Sequence, residues 1–245
     1  MNGAAGDTGR HQLARARILE GNQQRRRELE GGLYAPAHPA ELFMTGGRRR
    51  AAAALLAGLG VFPREGARVL EIGCGEAGLL PDFLGFRLAA RDLYGVDFDL
   101  ARLAVARRRL PGCHFTAGDG AALPFAAGSF DLVIAATVFS SLLEPELQQA
   151  VAAEIVRVLR PGGAYLHYDL ALDNPRNRQV RAVPAARLDA LFPGLRGHKR
   201  RVTLAPPLCR ALLPRFPTLA AIFEALPFLR SHLLAVLVKD PAAPG

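Results

Sequence analysis

Three groups of residues have types and spacing that could do chemistry together. The first is Val69-Leu70-Glu71-Ile72-Gly73-Cys74-Gly75-Glu76-Ala77-Gly78. Its glycines let a chain turn sharply out of a strand and bring backbone N–H groups close to a ligand. The second is Asp97, 19 residues beyond Gly78, at the end of another short apolar run. A carboxylate there can accept two hydrogen bonds from the hydroxyls of a ribose. The third is Asp119, in Ala117-Gly118-Asp119-Gly120. It could accept from the exocyclic amine of an adenine. Taken singly, each has a plainer reading: a glycine turn, a helix cap, a turn opened by Asp-Gly.

The elements that must position these residues follow from hydrophobic pattern. Residues 68–73, 93–98, 113–118, 130–137 and 164–170 are short apolar runs, most of them closed by Gly or Asp, and read as buried strands. A helix is expected over 48–60. Another follows Asp99, which is placed to cap it, and runs to Pro111-Gly112. An amphipathic helix is expected from Pro145 to about Leu159, with Leu147, Val151, Ile155 and Val158 on one face and a stop at Arg160-Pro161-Gly162-Gly163. A short helix over 183–192 and strands over 198–205 and 232–239 complete the chain, with a proline-broken helical stretch over 207–227. Strands alternating with helices predict a largely parallel sheet covered on both faces. Ligands bind such sheets beyond the C-terminal strand ends, where strand order reverses. The residues singled out fall there.

Glu71–Gly75, Asp97, Asp119, residues 128–142 and residues 154–170 together resemble the class I S-adenosylmethionine-dependent methyltransferases, closest to the branch acting on small molecules. The resemblance covers residues 65–172 well. It implies a Rossmann-like α/β fold with a seven-stranded, mostly parallel sheet, helices on both faces and an antiparallel last strand. It further implies S-adenosylmethionine as cofactor and a site built from Glu71, Gly73, Cys74, Gly75, Gly78, Asp97, Phe98, Asp119, Gly120, Ala136 and Thr137. An NAD-binding reading shares the glycine pattern, but Glu71 and the Leu159–Gly163 turn fit the methyltransferase pattern better. On this resemblance residues 1–60 form a helical extension covering the cofactor. Residues 61–245 then form the methyltransferase domain, with 206–227 a helical insertion between the last two strands.

The acceptor is less legible. Methyl transfer is an in-line displacement at an already activated carbon, so positioning and desolvation can carry much of it. A base is needed only for an acceptor that holds its proton firmly. The Asn/Asp-Pro-Pro-Tyr loop of amino-directed nucleic-acid enzymes is replaced by Ala136-Thr137-Val138-Phe139. Tyr168, Asp169 and Asn174 are the catalytic candidates near the fifth strand's end. Strand alternation predicts that Tyr168 and Asp169 point apart, and that His167 is a packed strand residue.

Bulk properties limit the alternatives. The chain has 245 residues, half of them apolar, and a formal charge of +9. Residues 170–245 hold 12 basic residues against 4 acids. All but Lys199 and Lys239 of the 31 basic residues are arginine. Such a bias fits a GC-rich, bacterial genome as well as a phosphate partner, so nucleic acid is not the favoured acceptor. The cysteines Cys74, Cys113 and Cys209 have neither metal-ligand nor disulfide spacing. Without a membrane-length apolar run or signal-like segment, the expectation is a cytoplasmic monomer or homodimer with no metal. The expected activity is methyl transfer to oxygen or nitrogen of a small molecule, such as a sugar or secondary metabolite. An RNA or protein acceptor, and a non-catalytic cofactor-binding partner subunit, are the alternatives.

Overall fold

Val69 to Ile72, in β1 (Val69–Ile72), are all buried, because this strand lies in the middle of the sheet with parallel neighbours on both sides. The computed structural model describes residues 15–21, 38–174 and 177–241. Around β1 stand β2 (Leu93–Asp97), β3 (His114–Ala117), β4 (Phe130–Ala136), β5 (Leu159–Leu170), β6 (Leu195–Leu204) and β7 (Arg230–Lys239). Their order is β3-β2-β1-β4-β5-β7-β6. The pairs from β3 to β5 are parallel, and β7 runs antiparallel to both β5 and β6. This is the seven-stranded, mostly parallel arrangement expected, with the last strand reversed.

Successive residues of the central strands enter opposite layers. Val133 and Ala135 join one core with Ile72, Ile155, Tyr165 and Phe192. Leu132 and Ile134 join the other with Val69, Leu56, Phe83 and Leu166. The period of two sends alternate side chains to opposite faces, and helices close both. α5 (Pro145–Val158) supplies Leu147, Val151, Ile155 and Val158 to the first core, starting at Pro145 as expected. α4 (Leu100–Arg109) is capped by Asp99, whose Oδ1 accepts from the amides of Ala101 at 3.0 Å and Arg102 at 3.2 Å.

Four boundaries differ from the sequence reading. Helix α2 (Pro39–Gly58) begins nine residues before the expected 48. Gly46-Gly47 hides this first half, yet the helix runs through it, with the movable Glu224 carboxylate of the later chain lying 2.8 Å from where a β-carbon on Gly47 would stand. Helix α3 (Leu80–Gly85) was not anticipated; six residues are too few to show a period. Strand β5 already begins at Leu159, so Arg160–Gly163 lies inside it, where pairing to β4 shifts register between Phe130 and Leu132. Proline and glycine are tolerated at such an irregularity. The stretch over 207–227 resolves into α7 (Pro206–Leu212) and α8 (Pro217–Ala225), which pack with the start of α2 around Met44, Cys209 and Ala220. Short helix α6 (Ala185–Leu191) precedes β6, and α1 (residues 15–21) lies against the first core through Ile18.

Candidate functional site

Strand order reverses between β2-β1 and β1-β4, and beyond the C-terminal ends of these strands lies a cavity of about 390 Å³. Its walls come from the ends of β1, β2 and β4 and the loops that leave them, with Ile18 of α1, Arg48 of α2, Arg102 of α4 and Tyr168 of β5. Of the site residues expected from sequence, Glu71, Gly73, Cys74, Gly78, Asp97, Phe98, Ala136, Thr137 and Tyr168 line it.

The loop after β1 is shaped by its glycines. Gly73 and Gly75 have φ of +63° and +51°, and a β-carbon on Gly73 would stand 2.7 Å from Val138 Cγ2. The amide of Cys74 donates to the Val96 carbonyl at 3.1 Å, which ties the loop to β2. Gly75 itself does not line the cavity. Its amide donates to Asp97 Oδ2 at 2.8 Å. The amide of Asp99 donates to Asp97 Oδ1, also at 2.8 Å. These two bonds fix the Asp97 carboxylate at the cavity wall, with Arg102 Nη1 4.0 Å away. Each oxygen keeps a lone pair for a ligand.

Glu71 is 3% exposed. It accepts from the amides of Leu79 and Leu80 at the start of α3, at 3.2 to 3.3 Å. Burial pushes its carboxyl up to about 8, opposed by those amides and by Arg48. Arg48 reaches the cavity from α2, with its guanidinium carbon 5.3 Å from the centre of the Tyr168 ring. Its Nε is buried and has no hydrogen-bond partner among the described residues. Burial, with Glu71 and Asp97 nearby, raises the Cys74 thiol well above its usual range and keeps it neutral.

The β4 end turns abruptly. Thr137 has φ of +54°, unusual for a β-branched residue. Its amide donates to the Tyr168 carbonyl at 2.7 Å, and its carbonyl accepts from Ser141 Oγ at 3.3 Å. Strain of this kind costs about 1–3 kcal/mol and persists where surrounding bonds impose it. Here it brings Ala136, Thr137 and Val138 to the cavity wall.

Several expected residues lie elsewhere. Asp119 is not in the wall: its Oδ2 pairs with Arg15 Nη2 of α1 at 2.5 Å, and its Oδ1 accepts from the Ala121 amide at 3.0 Å. Gly120 is a packing position, where a β-carbon would meet Ile72 Cγ2 at 3.2 Å. Asp169 is fully buried behind the wall and accepts from the amides of Ser140 at 3.0 Å and Leu170 at 2.8 Å. It braces the turn after β4 rather than facing a reactant, and burial lifts its carboxyl to about 6. Asn174 is exposed and outside the wall. Tyr168 points to the opposite face from Asp169, as alternation requires. Its ring lines the cavity and stacks on His232 at 4.8 Å, while its hydroxyl bonds Thr203 Oγ1 at 3.0 Å, away from the cavity. His167 is a packed strand residue: Tyr165 Oη lies 3.0 Å from its Nδ1, and burial pulls the imidazole down to about 3.

Sequence reasoning missed Ile18, Arg48, Leu79, Arg102 and Leu142 in the wall. Arg102 carried a signal, since it sits in the first turn of the helix that Asp99 caps. Residues 1–14 and 22–37 of the N-terminal extension expected to cover the cofactor lie outside the described residues. Within the same extension, Phe43 and Met44 belong to the small α2–α7–α8 core.

The wall therefore offers carboxylates (Glu71, Asp97), guanidinium groups (Arg48, Arg102) and apolar surface (Ile18, Phe98, Val138, Leu142). A ligand suited to it has hydroxyls, charges of both signs and a flat apolar part. S-adenosylmethionine has a ribose diol, an adenine, an ammonium, a carboxylate and a sulfonium, and the donor set fits it.

Comparison with known proteins agrees. A family model described as a methyltransferase domain matches residues 69–163. The malonyl-[acyl-carrier protein] O-methyltransferase of Enterobacter lignolyticus is 35% identical over 180 residues, which is 67% of each chain. A phthiotriol/phenolphthiotriol dimycocerosates methyltransferase of Mycobacterium ulcerans is 40% identical over 112 residues, 45% of this chain; this chain spans only 40% of that relative's length. Among solved structures, the Burkholderia thailandensis 1,6-didemethyltoxoflavin-N1-methyltransferase, with S-adenosylhomocysteine bound, superposes with a TM-score of 0.63 at 18% identity, covering 94% of this chain and 90% of its own. By its glycine loop, its sheet order and these relatives, the chain belongs to the class I S-adenosylmethionine-dependent methyltransferases.

Proposed function

We propose that this chain transfers a methyl group from S-adenosylmethionine to an oxygen or nitrogen atom of a small-molecule acceptor. The observation that carries the reading is the convergence of Glu71, Asp97, Phe98, Thr137 and Arg48 on one cavity at the sheet's switch point. Relatives named for methylating malonyl-acyl carrier protein, phthiotriol lipids and a demethylmenaquinone support a non-nucleic-acid acceptor.

In this reading Asp97, held by the Gly75 and Asp99 amides, accepts from the ribose hydroxyls. Phe98 and Leu142 offer apolar surface to the adenine. Arg48, which lines the cavity, offers its guanidinium to the methionine carboxylate, and Glu71 balances the cationic end. When bound, the sulfonium presents a methyl carbon open to in-line displacement. Thr137 and Tyr168 then shape the space in which an acceptor must align. Neither Asp169 nor Asn174 reaches that space, and the Tyr168 hydroxyl is engaged by Thr203, so we assign rate enhancement to orientation and exclusion of water. We also propose that α1 and α2, which supply Ile18 and Arg48, cover the cofactor.

Formation of S-adenosylhomocysteine across a panel of hydroxylated and amino acceptors tests the reading. Acceptor-dependent turnover supports it. Tight cofactor binding with no turnover on any acceptor favours a non-catalytic partner subunit.

A further inference from the structure

The large apolar side chains that stay exposed are not scattered. Among the described residues they fall at the C-terminal edge of the parallel strands, the edge that bears the cavity. Strand β6 runs parallel to β5 because each is antiparallel to β7, so the β6–β7 connection emerges at that edge. This connection holds Phe216 (56% exposed), Ile222 (55%) and Phe228 (69%), with Leu219 and Leu226 partly exposed beside them. Leu172, two residues beyond β5, and Leu42, in the first turn of α2, are exposed at the same edge.

Helix α8 is the centre of this surface. Thr218 and Glu224 are its only polar residues. Ala220 faces inward and is fully buried, while Leu219 and Ile222 face solvent. A helix apolar on nearly every side is normally enclosed, and large exposed apolar patches mark interaction sites.

Charge identifies the partner. The described residues of the connections at this edge, 171–174, 177–184 and 205–229, carry four arginines against Asp173 and Glu224. Of these, Arg178, Arg181 and Arg215 are exposed. Exposed apolar side chains that share an edge with exposed arginines suit the interface of an anionic bilayer, where the chains enter the acyl boundary and the cations meet lipid phosphate. None of the described helices is long and apolar enough to cross a membrane, so the contact is one of surface docking.

We propose that the edge formed by α8, its flanking turns and the loop after β5 docks on an anionic phospholipid surface, placing the cavity mouth beside the bilayer. An acceptor dissolved in the membrane would then be within reach. This surface is independent of the residues assigned to the cofactor.

The test is sedimentation of the full chain with two kinds of vesicle, phosphatidylcholine alone and phosphatidylcholine mixed with phosphatidylglycerol, at low and high salt. Ile222→Asp and Phe228→Asp are measured beside it, with thermal melts and S-adenosylmethionine titration confirming that fold and cavity are kept. The proposal predicts binding to the phosphatidylglycerol vesicles, weakened by salt, and a loss of about tenfold or more in either variant. Absence of vesicle binding overturns it, as does binding that both variants retain. A dimer that the same substitutions dissociate, without vesicle binding, overturns it in favour of a second copy of this chain.

Discussion

Replacing Glu71 by glutamine should change how stability depends on pH. The side chain is 3% exposed and its carboxyl is pushed up to about 8, whereas in the unfolded chain it returns to about 4.5. Between these values the folded state holds a proton that the unfolded state has lost. Stability attributable to Glu71 is therefore present at low pH and lost as pH rises from about 4.5 to about 8. Its slope approaches about 1.4 kcal/mol per pH unit in mid-window, a few kcal/mol in all. Glutamine keeps an oxygen for the Leu79 and Leu80 amides but cannot ionise. The assay is urea unfolding of wild type and Glu71→Gln from pH 5 to pH 9. The difference between the curves isolates Glu71 from Asp169, raised to about 6, and from His167 and His232, lowered to about 3 and about 4. The variant should gain on wild type steadily with rising pH and then level off. Parallel curves would refute the reasoning. Binding of a ligand with a cationic end should also tighten as pH rises through the same window, because it favours the ionised carboxylate.

Other substitutions separate positioning from packing. Tyr168→Phe removes only the bond to Thr203 Oγ1, so it should cost about 1 kcal/mol of stability in denaturant melts and leave kcat within about twofold. Asp169→Ala leaves the Ser140 and Leu170 amides without their acceptor and should cost roughly 2–4 kcal/mol, while cofactor affinity at saturating stability conditions changes little. Arg48→Ala should weaken S-adenosylmethionine binding by about tenfold to a hundredfold but leave adenosine binding nearly unchanged, since adenosine has no carboxylate. Ile155→Ala, in the core under β1 and β4, should cost about 2–5 kcal/mol in the same melts.

The central sheet was legible in the sequence for a simple reason. Strands buried on both faces read as unbroken apolar runs, and β1, β2 and β4 each end in the Gly, Asp or Thr that turns the chain into the cavity. Legibility failed where tertiary contact overrode local preference. Gly46-Gly47 reads as a helix break, yet α2 continues through it, its start packed against α7 and α8 through Met44. Arg160–Gly163 reads as a stop, yet β5 includes it. In the site, Glu71 and Asp97 were found because strand and loop geometry alone fixes where they point. Asp119 and Asp169 have the right residue type and lie after the right strands. Their orientation is set by partners distant in sequence, Arg15 and the Ser140 amide, which no local pattern encodes. Arg48 was missed for the same reason in reverse: its helix enters the site from 23 residues before Glu71, with nothing in its own neighbourhood to announce it.

The most direct measurement is calorimetric titration of the purified chain with S-adenosylmethionine and S-adenosylhomocysteine, with NAD as a control and Asp97→Ala beside the wild type. The account predicts saturable binding of both sulfur compounds and no binding of NAD. Loss of the Asp97 hydrogen bonds should weaken binding by at least about tenfold in the variant. Binding of NAD instead, or equal affinity in wild type and Asp97→Ala, would contradict it.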